Sequence, residues 1–171
     1  MAQINPGRFT ADLGDRKEVV VFIIGMRINR LLHFWRWIPV FLVMPRMIVE
    51  LCRDPSLGML SRPRTFVSGR VVMLVQYWRS FEELERFARD PQRSHLGAWR
   101  DFNRRIRNNG SVGIFHETYR VPAAAIETVY GNMPVFGLAA ASACVPVRKG
   151  RQSAAARLGV RPDGDAPVDP Y

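Results

Sequence analysis

Glu18–Ile28 reads EVVVFIIGMRI, and its unbroken apolar run between a carboxylate and an arginine is that of a strand covered on both faces. A second run, Arg70–Trp78 (RVVMLVQYW), has the same character. It follows the shorter β-type run Thr65–Ser68 with only Gly69 between them, so the two are expected to pair as a hairpin. Between the first run and this pair, Ile38, Phe41, Leu42, Ile48, Val49 and Cys52 recur at helical spacing. Pro39 fits the first turn of that helix, and Asp54-Pro55 fits its stop.

Further on, Ser80 followed by Glu83 forms a capping box that opens a helix with Leu84, Phe87 and Ala88 facing inward, up to Asp90-Pro91. A third helix is predicted from near Ser94, with His95, Trp99, Phe102 and Ile106 on one face. Asn108-Asn109-Gly110 then turns the chain into the last strand, where Val112, Ile114, Phe115, Tyr119 and Val121 fit a packed pleat and Pro122 ends it. Pro122–Met133 has room for one short helix. The order strand, helix, strand, strand, helix pair, strand is the ferredoxin-like split βαβ arrangement, an α+β fold with an antiparallel sheet. Helices cover one face of such a sheet. The apolar character of both long strands demands a cover for the other, and a second copy related by a two-fold axis supplies it, giving a homodimeric α/β barrel.

The chain of 171 residues suits one barrel domain over 1–138, followed by an extension over 139–171 that is expected to be mobile from about 151. The formal charge of +10 comes almost entirely from arginines, with acidic residues interspersed, and no basic block or nucleic-acid-binding motif accompanies them. Nucleic acid is therefore not an expected partner. Cys52 and Cys144 are too few for a disulfide framework or a thiolate metal site, and with no secretory signal in Met1–Arg16 a reducing cytoplasm is the expected compartment. Leu31–Leu51 is apolar, but His33, Arg36, Arg46 and Glu50 interrupt it and Pro39 and Pro45 break it, so stable membrane insertion is not expected. A surface-bound amphipathic helix is the alternative for this segment.

His116 and Glu117 interrupt the last strand and point to opposite faces, so each needs a partner, an exposed edge or a cavity. No nucleotide, phosphate, esterase or zinc-protease motif is present, and no metal site is predicted. The remaining constellation is aromatic with a few polar anchors, as small-molecule pockets are: His116 and His95 as candidate catalytic bases, with Asn29, Tyr77, Trp78, Trp99 and Tyr119 lining the pocket and Arg46 as a clamp for an acidic substrate. Each has an ordinary structural alternative. Trp78, Trp99 and Phe102 are side chains that usually build cores, Tyr77 can satisfy its hydroxyl at a sheet edge, and Arg46 can be a solvated arginine.

PGRFTA (6–11), FIIGMRIN (22–29), MPRM (44–47), MLVQYWRSFEELERFARD (73–90), HLGAWRDFN (95–103), GIFHETY (113–119) and VYGNMPVFGL (129–138) together resemble the small bacterial and fungal proteins classed as monooxygenase-like members of the dimeric α/β-barrel superfamily. The resemblance implies a ferredoxin-like dimer with a pocket between sheet and helices and a monooxygenase-like oxidoreductase, but it does not give a substrate; an aromatic or polyketide-like small molecule is the expectation for the pocket. Three chemistries fit it. In the first a histidine deprotonates an electron-rich phenol or enol whose anion itself reduces oxygen, with no cofactor and with Asn29 or Trp78 orienting the anion. In the second, one histidine is the axial ligand of a haem, as in related barrels of dehydratase or oxygenase type. The third is a ligand-binding or stress-response barrel without turnover.

Overall fold

The computed structural model describes residues 3–90 and 110–163, which fall into two compact units. The larger, Val20–Arg120, carries a four-stranded sheet. Its strands are β2 (Glu18–Ile28), β3 (Arg64–Ser68), β4 (Val71–Trp78) and β5 (Val112–Pro122), with helices α1 (Phe34–Arg53) and α2 (Phe81–Arg89) between them. The order β3-β4-β2-β5 is that of the split βαβ fold, because the chain leaves β2 through α1, returns as a hairpin, and ends on the far side of β2. The described chain is thus α+β with antiparallel pairing.

Pairing follows the apolar pattern. In the β2–β4 ladder Val20 lies opposite Trp78, Phe22 opposite Gln76, Ile24 opposite Leu74 and Met26 opposite Val72. These even-numbered residues share the helix-facing side, since side chains alternate along a strand. There Val20, Trp78, Leu51, Met59, Leu84 and Phe87 form one buried cluster. Met26 and Val112 form a second, with Trp37 and Val40 of α1 packed on it. The odd-numbered residues of β2 and β4 make the opposite face, where Val21, Ile23, Met73 and Val75 are half-buried and Phe66 of β3 is exposed. On that face the ring of Phe115 occupies the space that a side chain at Gly25 would need. No larger residue than glycine fits beneath it.

α1 begins five residues before the position expected from Pro39, and it carries both Pro39 and Pro45 in its interior. Each proline removes one backbone hydrogen bond, a cost that ordinarily ends a helix. Here the helix persists because Trp37, Val40, Leu51 and Cys52 are held against the sheet, and tertiary packing outweighs local preference. The Ser80 cap is formed as read, its hydroxyl accepting from the Glu83 amide at 3.3 Å. The Glu83 side chain lies against Gly58, whose φ of +94° is left-handed. Gly58→Ala therefore meets backbone strain and a clash with the Glu83 carboxyl together. It should lower unfolding free energy by about 2–4 kcal/mol, read from the denaturation midpoint.

The smaller unit, residues 1–19 and 121–171, holds a three-stranded sheet in the order β6-β1-β7, built from β1 (Asn5–Asp12), β6 (Tyr130–Met133) and β7 (Ala143–Pro146). Thr128 ties it together, its hydroxyl accepting from the Ala11 amide at 2.8 Å. The stretch from Pro122 holds a single 3-10 turn, Ala123–Ala125, before β6. The described part of the C-terminal segment, 151–163, contains a one-turn helix, Ala154–Arg157. Its Arg157 is largely buried and pairs with Glu127 at 2.6 Å, while Asp163 accepts from the amides of Gln152 and Ser153. The contacts in this stretch are polar rather than apolar. The helix predicted from Ser94 lies outside the described residues.

Candidate active site

β5 lies at the end of the strand order, beside β2. Its neighbours run in the opposite sense to β2, Gly113 against Arg27 and Asn29, Phe115 against Gly25, and His116 against Phe22. Val112, Ile114 and His116 consequently share the helix-facing side, and Gly113, Phe115, Glu117 and Tyr119 the other. The His116 ring sits 5.9 Å from that of Phe22, tilted by 41°. It is exposed, because β5 is an edge strand and its middle lies beyond the reach of α1 contacts that bury Val112.

Phe22 lies opposite Gln76, and Gln76 is buried at 6% exposure. Its side-chain oxygen accepts from Trp78 Nε1 at 2.9 Å. One row across the sheet therefore carries an imidazole at the rim, a phenyl ring in the middle and an amide at the buried end. With strands about 4.8 Å apart, rim and amide are separated by about 10 Å, with Phe22, which packs against the core cluster, between them. Gln76 was not among the expected site residues. Its signal in the sequence is that it is the single polar residue within VVMLVQYW.

The other expected residues do not converge on this row. Trp78 is fully buried, packs on Phe87 at 5.6 Å between ring centroids, and belongs to the core. Tyr77 and Tyr119 lie on the opposite face of the sheet. Tyr119 donates to Glu117 Oε2 at 2.6 Å, and that hydrogen bond, reinforced by the carboxylate's charge, holds its phenol above the ordinary value. Tyr119 is thereby kept protonated and is a hydrogen-bonding group rather than a base. Asn29 follows β2, its side chain accepting from Arg27 and its carbonyl from Arg70. Tyr77 pairs with Val21, so Asn29 stands about 26 Å away along the strand and cannot touch the same small ligand. His95 and Trp99 lie outside the described residues, as does the side chain of Arg46.

Near Asn29 a second polar knot forms. His33 Nδ1 and the fully buried Ser111 hydroxyl are 2.9 Å apart, and Arg36 donates to the same hydroxyl at 3.3 Å. The Ser111 carbonyl accepts from the amides of Asn29 and Arg30. These bonds fasten the turn before α1 to the start of β5. No trio of His, Cys, Asp or Glu side chains suited to a metal ion occurs among the described residues.

A family model described as monooxygenase af470-like matches residues 19–138. Monooxygenase af470 of Aspergillus fumigatus is 28% identical over 151 residues, covering 77% of this chain and 53% of that protein. The chain thus spans about half the length of this curated relative. Among solved structures, a crystal structure of an aldoxime dehydratase in complex with butyraldoxime superposes with a TM-score of 0.62 at 18% identity, over 78% of this chain and 39% of that one. That likeness is one of fold.

Proposed function

Since this chain belongs to the monooxygenase af470-like family, we propose that it is a monooxygenase acting on an electron-rich hydroxyaromatic or polyketide-like small molecule, with His116 as its general base. The observation that carries this reading is the row His116–Phe22–Gln76, which sets a titratable imidazole beside an aromatic surface and a buried amide. The imidazole takes the proton of a phenol or enol. The resulting anion lies against Phe22 with its oxygen toward the Gln76 amide. The electrons come from the substrate: its carbanionic carbon bonds to oxygen, the peroxide loses water, and a methylene becomes a carbonyl as one O2 gives one carbonyl oxygen and one water. No separate reductant is needed.

The direct test is oxygen uptake by the purified protein with a hydroxyaromatic methylene compound as probe. Turnover by a colourless protein, with one oxygen consumed per carbonyl formed, supports the reading. The second reading, a haem-binding barrel, is favoured by the same residue, because among the described residues the exposed His116 imidazole makes a ring contact and no hydrogen bond. His116 would hold the haem, and the bound group would supply iron for dehydratase or oxygenase chemistry. A Soret band with stoichiometric iron replaces the first reading by this one.

The outer sheet face, with Val21, Ile23, Met73, Val75, Phe66 and Phe115, supports a homodimer joined sheet to sheet. Light scattering across a dilution series should give twice the chain mass down to low concentration. A soluble monomer would rule the dimer out. Cys52 and Cys144 are both free thiols, which supports a reducing cytoplasmic compartment.

A further inference from the structure

The solvent side of α1 is apolar. Phe34, Ile38 and Phe41 follow one another at spacings of four and three, which places them on one face, and all three are exposed together with Trp35 and Leu42. Leu32, in the turn before the helix, is 85% exposed. The opposite side, through Trp37, Val40 and Leu51, is already packed against the sheet. A helix apolar on all sides requires a cover on the side left open.

Charge identifies the cover. Between Val19 and Phe81 stand nine arginines against two carboxylates, Glu50 and Asp54, so this segment carries +7 of the chain's net charge of +10. The positive bias is therefore concentrated in the segment that contains α1. Arg27, Arg30 and Arg36 precede or open the helix, and no acidic residue occurs from Val19 to Val49. A second copy docked through this face about a two-fold axis would set the same arginines against themselves. An anionic bilayer meets both demands, taking leucine and aromatic side chains at the acyl boundary and arginines at its phosphates.

The presenting turn is also held in place. Trp37 Nε1 donates to the Leu31 carbonyl at 3.0 Å. Trp35 stacks on His33 at 5.3 Å and meets Phe34 edge-on at 5.1 Å. His33 and Arg36 are in turn bound to Ser111. The protruding side chains thus need little further ordering on contact. Among the described residues no helix is long and apolar enough to cross a membrane, so this one can only lie on it.

We propose that the exposed face of the turn and first half of α1 is a docking surface for an anionic lipid bilayer, bound peripherally. The test is sedimentation of the full chain with phosphatidylcholine vesicles containing phosphatidylglycerol, against vesicles of phosphatidylcholine alone. Binding is expected to the anionic vesicles, to weaken with added salt, and to bring a blue shift of tryptophan emission. The double variant Leu32→Glu/Trp35→Glu should lose at least about tenfold in vesicle affinity, and Arg30→Ala about fivefold. Val160→Glu, the same kind of change at another exposed apolar residue, should bind as the parent does, with unchanged circular dichroism in all variants. Equal binding to both vesicle types, no binding, or full binding by the double variant would overturn the proposal. So would a fall in oligomer size on Leu32→Glu/Trp35→Glu without vesicle binding by the parent, which would assign the face to a second copy.

Discussion

His116→Asn should fold like the parent and lose turnover by about 10²–10⁴-fold, because asparagine keeps a polar side chain of similar reach at this exposed position and removes the titratable nitrogen. The loss should fall on kcat, with KM changing little, if Phe22 and Gln76 form the binding surface proposed for them, since both remain in the variant. Unchanged turnover in His116→Asn would remove the base from the proposed mechanism. His95→Asn is the matched comparison, and a loss confined to that variant would move the base to His95.

Trp78→Ala should cost about 3–5 kcal/mol of stability, the largest effect expected of any single truncation in the larger unit. Its indole is fully buried among Val20, Leu51, Met59, Leu84 and Phe87, so its removal leaves a cavity shared by β2, α1, β4 and α2. It also leaves the buried Gln76 oxygen without the indole donor. Urea denaturation measures the loss. Activity per folded molecule should fall less than in His116→Asn, since the tryptophan acts on the site through the orientation of Gln76. A variant as stable as the parent but inactive would instead place the indole in contact with substrate.

The parts of the fold legible in the sequence are those whose signal is local. EVVVFIIGMRI could only be a covered strand, and β2 has the same bounds, Glu18–Ile28. The Ser80–Glu83 pair and the Pro122 stop are likewise short-range chemistry, and both ends fall where they were expected. The start of α1 was not legible, because no capping side chain marks it and Pro39 imitates a first turn. β1 escaped notice for a different reason. NPGRFTAD has no apolar alternation, and it becomes a strand only through partners more than a hundred residues away, Gly131 opposite Arg8 and Cys144 opposite Ala11.

For the site, the sequence marked His116 as an anomaly in a β-type run, and β5 carries it exposed on the helix-facing side of an edge strand. The expectation of one pocket gathering Asn29, Tyr77, Trp78 and Tyr119 does not hold across the described sheet. Strand alternation divides them between two faces, and the β2–β4 register separates Asn29 from Tyr77. Adjacent numbers such as Tyr77 and Trp78 suggest nearness, yet a strand sends neighbours in opposite directions. Gln76 shows the converse, a residue overlooked because its strand reads as wholly apolar.

The strand order sets a sequence of events in folding. β3 and β4 are joined by a two-residue turn and can pair within microseconds, whereas β5 must find β2 across the whole of residues 29–111. The strand that carries His116 thus has the most distant partner in its sheet and only one of them. Its outer half, from His116 to Arg120, is exposed, so it should open readily in the folded protein and its amides should exchange with solvent well before those of β4. Catalytic competence would then be the last property acquired during folding and the first to disappear on warming, ahead of any loss of the core around Trp78.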